Sequence, residues 1–330
     1  MRSIGSRLRW VLRVIVSGSI VGYILYDIDW QDLAAAIAGV RLPLLMLAAL
    51  LYLAGQILSA FKWSVLGRAV GFERPLRDYV RFYFVGMFFN LFGPSTLGGD
   101  LARSLYLSDG HRRGVALNST IFDRLSGLAV LMALGAAAML LGPQYDFPPV
   151  LQLTVVLAGC GVTAAWWVSP RVGALLPQGS AVRRLIEHDL TAFWTDHRLL
   201  VRVGALSLVF HLSQVVVQLV LARAVGVDLP FSYLLVVHPM LSVMMALPLS
   251  VGGFGVREGG YLYFLTRVDV DGSIAVTMAL LWWSVTVVSA LVGGLAFLTT
   301  GGRLPRFASR RTREPSEPAT NPAESELPPL

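Results

Sequence analysis

Two stretches of this 330-residue chain carry the same pattern of chemistry-bearing residues: Pro94, Thr96, Gly98, Gly99 and Arg103 recur at identical spacing as Pro248, Ser250, Gly252, Gly253 and Arg257. Each type has a distinct physical consequence. Proline breaks a helix, and a hydroxyl caps the helix that restarts. Paired glycines let the backbone N–H groups approach a ligand without side-chain obstruction. An arginine four residues past the second glycine stands about one turn into the outgoing helix, where its guanidinium can hold two oxygens of a phosphate. The N-terminus of that helix adds about half a positive charge. The combination describes a site for an anion, phosphate above all.

Other polar residues surround the pattern. Asp100 lies three positions before Arg103, on the same helical face, so Arg103 has two readings, ligand binding or an internal lock with Asp100. Glu258 directly follows Arg257 and points about 100° away around a helix, which leaves Arg257 the better candidate for an anion. Asn90 precedes the first glycine pair. Asp123 and Arg124 open the next apolar run, where they line the same cavity, or Asp123 carries a coupling proton, or Arg124 snorkels to an interface. His211 and His238 lie in apolar runs as packing residues or proton relays. Trp282 and Trp283 sit in the middle of a run. No metal-ligand spacing occurs, and Cys160, the only cysteine, excludes an internal disulfide and suggests no thiolate metal site. No cofactor is expected.

The elements that hold these residues are set by composition. With 55% hydrophobic and 14% charged residues and a mean hydropathy of +0.65, the chain cannot cover itself with a polar surface. It reads as an all-α polytopic membrane protein. Apolar runs near 10–26, 42–61, 78–107, 118–142, 150–168, 199–222, 231–266 and 274–299 approach or exceed the roughly 20 residues that cross a bilayer. Arg2, Arg7, Arg9 and Arg13 precede the first run with no small-residue cleavage site, so that run is expected to be retained. The basic segments are the N-terminus, 62–77 (Lys62, Arg68, Arg74, Arg77), 103–113 (Arg112, Arg113), 171–198 and the tail after Arg303; these are expected in the cytoplasm. Arg41 and Arg223 are exceptions at run edges. The positive charge signals topology and anionic headgroups, not nucleic acid.

With 62–77 and 103–113 on one side, 78–107 must enter and return, and by the same reasoning so must 231–266 from the opposite side. The expectation is about six full spans plus two re-entrant helical hairpins, arranged as inverted repeats of about 10–142 and 150–299 within a single transmembrane domain, 1–302. That is the usual construction of secondary transporters. Residues 180–198 place Val182, Leu185, Ile186, Leu190, Phe193 and Trp194 at near-helical spacing and read as an interfacial amphipathic helix. Residues 303–330, rich in Pro, Glu, Ser and Arg, read as a disordered cytoplasmic tail.

The residues from Asn90 to Arg103, then Asp123, Arg124 and Gly127, then Pro248 to Gly259, resemble the bacterial and archaeal flippase-like family named for the membrane region of lysylphosphatidylglycerol synthases. The likeness covers about 5–302. It implies a multi-pass protein of the bacterial inner membrane, both termini cytoplasmic, that translocates a phospholipid or lipid-linked headgroup such as an aminoacylated phosphatidylglycerol or a glycolipid carrier. Full-length synthases carry a cytosolic catalytic domain; here only a short tail follows, so aminoacyl transfer is not expected and the chain is read as a non-enzyme. Two other readings stand beside the translocator: a non-transporting membrane subunit that recruits a separate lipid-modifying enzyme, and a membrane-embedded enzyme acting on lipid-linked sugar or phosphate with Asp100 or Glu258 as acid or base.

Overall fold

A computed structural model gives the architecture. It describes residues 28–92, 98–108, 112–143, 145–172, 195–246 and 253–302, with Pro177, Phe193 and scattered positions between 15 and 26. Among these every regular element is helical: α1 (Trp30–Ala38), α2 (Leu42–Ala69), α3 (Leu76–Phe92), α4 (Gly98–Ser108), α5 (Arg113–Leu141), α6 (Pro149–Val172), α7 (His197–Ala224), α8 (Phe231–Ala246), α9 (Val256–Leu265), a 3-10 turn (Thr266–Val268) and α10 (Gly272–Thr299). Helical backbone also occupies the described positions from Ile15 to Tyr26. Helices α2, α5, α7 and α10 are each long and apolar enough to cross a membrane. Exposed side chains such as Met46, Leu50 and Ile57 on α2 and Leu291, Leu295 and Leu298 on α10 form apolar faces that suit lipid and not water.

Helix starts follow local chemistry. Asp29, Asp196 and Asp271 each accept from backbone N–H groups in the first turn of α1, α7 and α10, satisfying donors that a helix start leaves orphaned. Helix α1 was not anticipated in the 27–40 segment, although Asp29 before Leu33 and Ile37 gives a cap and a helical spacing. Helix α2 runs eight residues past the expected end of its apolar run, through Lys62 to Ala69. Lys62 therefore belongs to the helix and not to a basic loop. The buried carboxylate beside it, described below, is what permits this.

Each of the two interrupted runs forms a helical hairpin. Along α3 and α4, Asn90 meets Gly99, Gly86 meets Arg103, and Phe82 stacks on Tyr106 at 5.3 Å between ring centroids, which is antiparallel packing. Along α8 and α9, Met245 faces Gly253, Leu241 faces Gly260, and the Tyr233 hydroxyl donates to the Phe264 carbonyl. With 17 and 11 residues in the first hairpin and 16 and 10 in the second, the arms extend about 15–26 Å at 1.5 Å per residue. None alone reaches across a hydrocarbon core of about 30 Å.

The packing scheme recurs. Helix α2 touches α3, α5 and α10, as α7 touches α8, α10 and α5; α4 lies on α5 as α9 lies on α10; and each hairpin's first arm packs on the long helix of the other half, α3 on α10 and α8 on α5. At the centre, α2 and α7 run antiparallel: Arg41 N–H donates to the Ala224 carbonyl, Gly55 abuts Gln214, and Lys62 reaches Ser207. Helix α6 packs on α5, while Ile20 and Ile24 of the N-terminal stretch pack with Val276 and Leu280 of α10.

The largest apolar cluster lies between α7, α8 and α10, where Trp282 meets Tyr52 edge-on at 5.6 Å. Trp283 instead contacts Phe254 at 5.4 Å. The expected interfacial helix 180–198 falls largely outside the described residues, as does the tail 303–330. Phe193 within the first is described: it is fully buried and stacks on Phe122 at 4.5 Å, among Val65, Leu66 and Leu199.

Candidate functional site

Five charged side chains from three helices meet in one network. Helix α2 contributes Lys62, α4 contributes Asp100 and Arg103 from one face, and the middle of α5 contributes Asp123 and Arg124. Arg124 Nε donates to Asp100 Oδ2 at 2.9 Å and its Nη2 to Oδ1 at 3.1 Å. Arg103 Nη2 lies 3.2 Å from Asp100 Oδ1 and donates to Asp123 Oδ2 at 3.0 Å. Lys62 Nζ lies 2.9 Å from Asp123 Oδ1, and its well-directed hydrogen bonds go to the Asp123 carbonyl at 3.1 Å and Ser207 Oγ at 3.2 Å. The order is Arg124, Asp100, Arg103, Asp123, Lys62. Such burial is tolerable only because every charge has an opposite neighbour.

Aromatic rings finish the enclosure of Arg103. Its guanidinium carbon lies 4.9 Å from the Trp63 ring centre and 5.0 Å from that of Tyr83, an attraction of about 0.5–2 kcal/mol per ring. Arg103 Nε and Nη1 have no hydrogen-bond partner among the described residues.

The network lines a cavity of about 380 Å³ that also includes Asn90 of α3, His211 of α7 and Ser242 of α8. A second space of about 800 Å³ shares Asn90, Asp100, Arg124, Leu125 and Ser242 with it. Both hairpins therefore contribute to one hollow, the first through Asn90, Asp100 and Arg103, the second through Ser242 near the end of α8.

The structure changes the role of several predicted residues. Asn90 Oδ1 accepts from Gly99 N–H at 3.0 Å, so it caps α4 from the opposite arm besides lining the hollow. Gly99 is required for helix packing: a Cβ there would overlap the Gly86 carbonyl oxygen, whereas one on Gly98 would lie 3.6 Å from the nearest atom among the described residues. Gly253, with φ +82°, serves the turn into α9. Arg257 is not the free cation expected from its register. Its Nε and Nη2 both donate to Glu258 Oε1, at 3.0 and 2.6 Å, while Glu258 Oε2 accepts from Gly255 N–H at 2.7 Å. The adjacent Cα vectors do diverge, but the carboxylate folds back to cap its own helix and comes within reach of the long guanidinium. Neither residue lines the two cavities. Thr96, Ser250 and Gly252 lie outside the described residues.

The histidines form a separate polar pair. His211 Nε2 lies 3.0 Å from the Gly127 carbonyl and His238 Nδ1 lies 3.1 Å from Gln218 Nε2, with the rings 5.8 Å apart. Among the described residues no three His, Cys, Asp or Glu side chains gather closely enough to hold a metal ion. Sequence reasoning missed Lys62 as a site residue. The available signal was its isolation: it is the single lysine of the chain, directly after an apolar run.

A bundle with four helices apolar enough to span a bilayer, folded around a buried ionic network, is a helical membrane protein. The sequence from 10 to 294 matches the model of the lysylphosphatidylglycerol synthase TM region, and the chain belongs to that family. No curated protein matches the sequence.

Proposed function

We propose that the chain is a non-catalytic lipid translocator of the inner membrane, both termini cytoplasmic, which holds an anionic headgroup between its two hairpins while the acyl chains stay in the bilayer. The hairpins are re-entrant in this reading, and the two halves form an inverted repeat. Arms too short to span, an antiparallel α2 and α7 and the recurrent packing scheme support that reading. Alternating access then comes from one half rocking against the other. The observation that carries the proposal is the charge balance of the hollow among the described residues: three cations against two carboxylates, at a place both hairpins reach.

The test is a headgroup-exposure assay. Full-length protein is reconstituted into vesicles containing phosphatidylglycerol with a fluorescent acyl tag, and a membrane-impermeant quencher reports how fast inner-leaflet lipid becomes accessible. Wild-type protein is expected to expose nearly the whole pool. Arg103→Gln is expected to slow exposure at least tenfold, about 1.4 kcal/mol of barrier. Equal rates for wild type and a folded Arg103→Gln variant would remove the ionic network from the mechanism; a wild-type protein that exposes no lipid would remove the translocator.

A further inference from the structure

The five charges of the network are not equivalent. Lys62, Arg103 and Asp123 have side chains 4–6% exposed and Asp100 12%, whereas the Arg124 side chain is 55% exposed. The four inner groups already sum to zero, two cations against two carboxylates. The surplus positive charge is therefore Arg124, the outermost member, which lines both hollows. Among the described residues Asp100 is the only acid it pairs with, and Asp100 keeps a second partner in Arg103 at 3.2 Å. Arg124 can release Asp100 without stranding a buried carboxylate.

We infer that Arg124 is the charge-selecting residue of the hollow, and that the site takes lipids whose headgroup is a phosphodiester with one net negative charge and no cationic group. This rests on the lipid-translocating reading above. A singly charged phosphodiester accepts from the three Arg124 N–H bonds that Asp100 does not take, two on Nη1 and one on Nη2, and brings the cluster to neutrality. An ammonium in the headgroup meets the surplus positive charge of Arg124 and finds both carboxylates of the network, Asp100 and Asp123, already paired with cations. A doubly charged phosphomonoester leaves one negative charge without a cationic partner in the network. Leu101, Leu125 and Leu128, each about 40% exposed, stand on α4 and α5 beside Arg124 and offer apolar contacts for the acyl chains.

The experiment measures which lipid stays with the purified full-length protein. Detergent-solubilised protein is equilibrated with equimolar phosphatidylglycerol, phosphatidylethanolamine, lysylphosphatidylglycerol and phosphatidic acid, and bound lipid is counted by native mass spectrometry. Phosphatidylglycerol is expected to exceed each of the others by about tenfold or more in wild type. Arg124→Gln, shown to be folded by cooperative thermal unfolding, should bring the ratios close to one, and Arg124→Lys should restore part of the preference. Wild-type ratios near one, or an undiminished preference in Arg124→Gln, would overturn the assignment. Displacement of phosphatidylglycerol by inorganic phosphate would reassign the site to the free ion, also against the inference. The two proposals fail separately: selective retention with no movement of lipid in vesicles leaves the charge selection and removes the translocator, while equal exposure of phosphatidylglycerol and phosphatidylethanolamine without selective retention does the reverse.

Discussion

Asp123 is the residue on which the buried network turns, and replacing it with asparagine gives the sharpest test of that geometry. Its two oxygens face Lys62 at 2.9 Å and Arg103 at 3.0 Å, with all three side chains nearly enclosed. At those separations each contact amounts to about 6 kcal/mol of Coulomb attraction for an effective dielectric constant of about 20. Desolvation offsets much of it, and loss of one partner from a buried pair typically costs about 3–5 kcal/mol. Asp123→Asn should therefore lose about that much stability, because two buried cations remain with one less negative charge between them. Lys62→Met in the same background removes one of those cations and should recover about 0.5–3 kcal/mol, the usual range of coupling between contacting residues. Unfolding in mixed micelles, followed by tryptophan fluorescence for wild type, both single variants and the double variant, measures the coupling directly. Strictly additive losses would show that Lys62 and Asp123 do not sense one another, and the network would have to be abandoned as an energetic unit.

Two further substitutions probe the hairpins. Gly99→Ala should destabilise the protein by about 1–3 kcal/mol through overpacking, because the new methyl group meets backbone of the opposite arm, while Gly98→Ala should be tolerated; thermal unfolding of the pair checks this, and equal losses would mean that the arms are not in contact at Gly86. Glu258→Gln should cost about 3–5 kcal/mol by leaving Arg257 buried without its carboxylate, an outcome readable in the same assay, whereas a neutral result would return Arg257 to the candidates for ligand binding.

The sequence conveyed the helical class and the interrupted runs because both depend on local composition: long apolar stretches, helix-breaking proline and glycine, and charged punctuation. It also brought Asn90, Asp100, Arg103, Asp123 and Arg124 forward together, since each is a polar group in an apolar setting and so needs a reason to be there. What it could not convey was pairing across helices. Arg103 and Arg257 occupy the same register, yet one faces Asp123 from another helix and the other folds onto its own neighbour. Spacing along the chain does not encode that difference. The same limit hid Lys62, whose partner lies on α5, and the packing demand on Gly99, which is set by Gly86 of the facing arm.

The solitary lysine has a practical corollary. Since Lys62 is the only lysine and its ammonium is enclosed between Asp123 and Ser207, acylating reagents aimed at side-chain amines find a single target, shielded whenever the hollow is closed. If the hollow opens as the translocator proposal requires, the rate of Lys62 modification times that opening, read from one peptide by mass, without any engineered label.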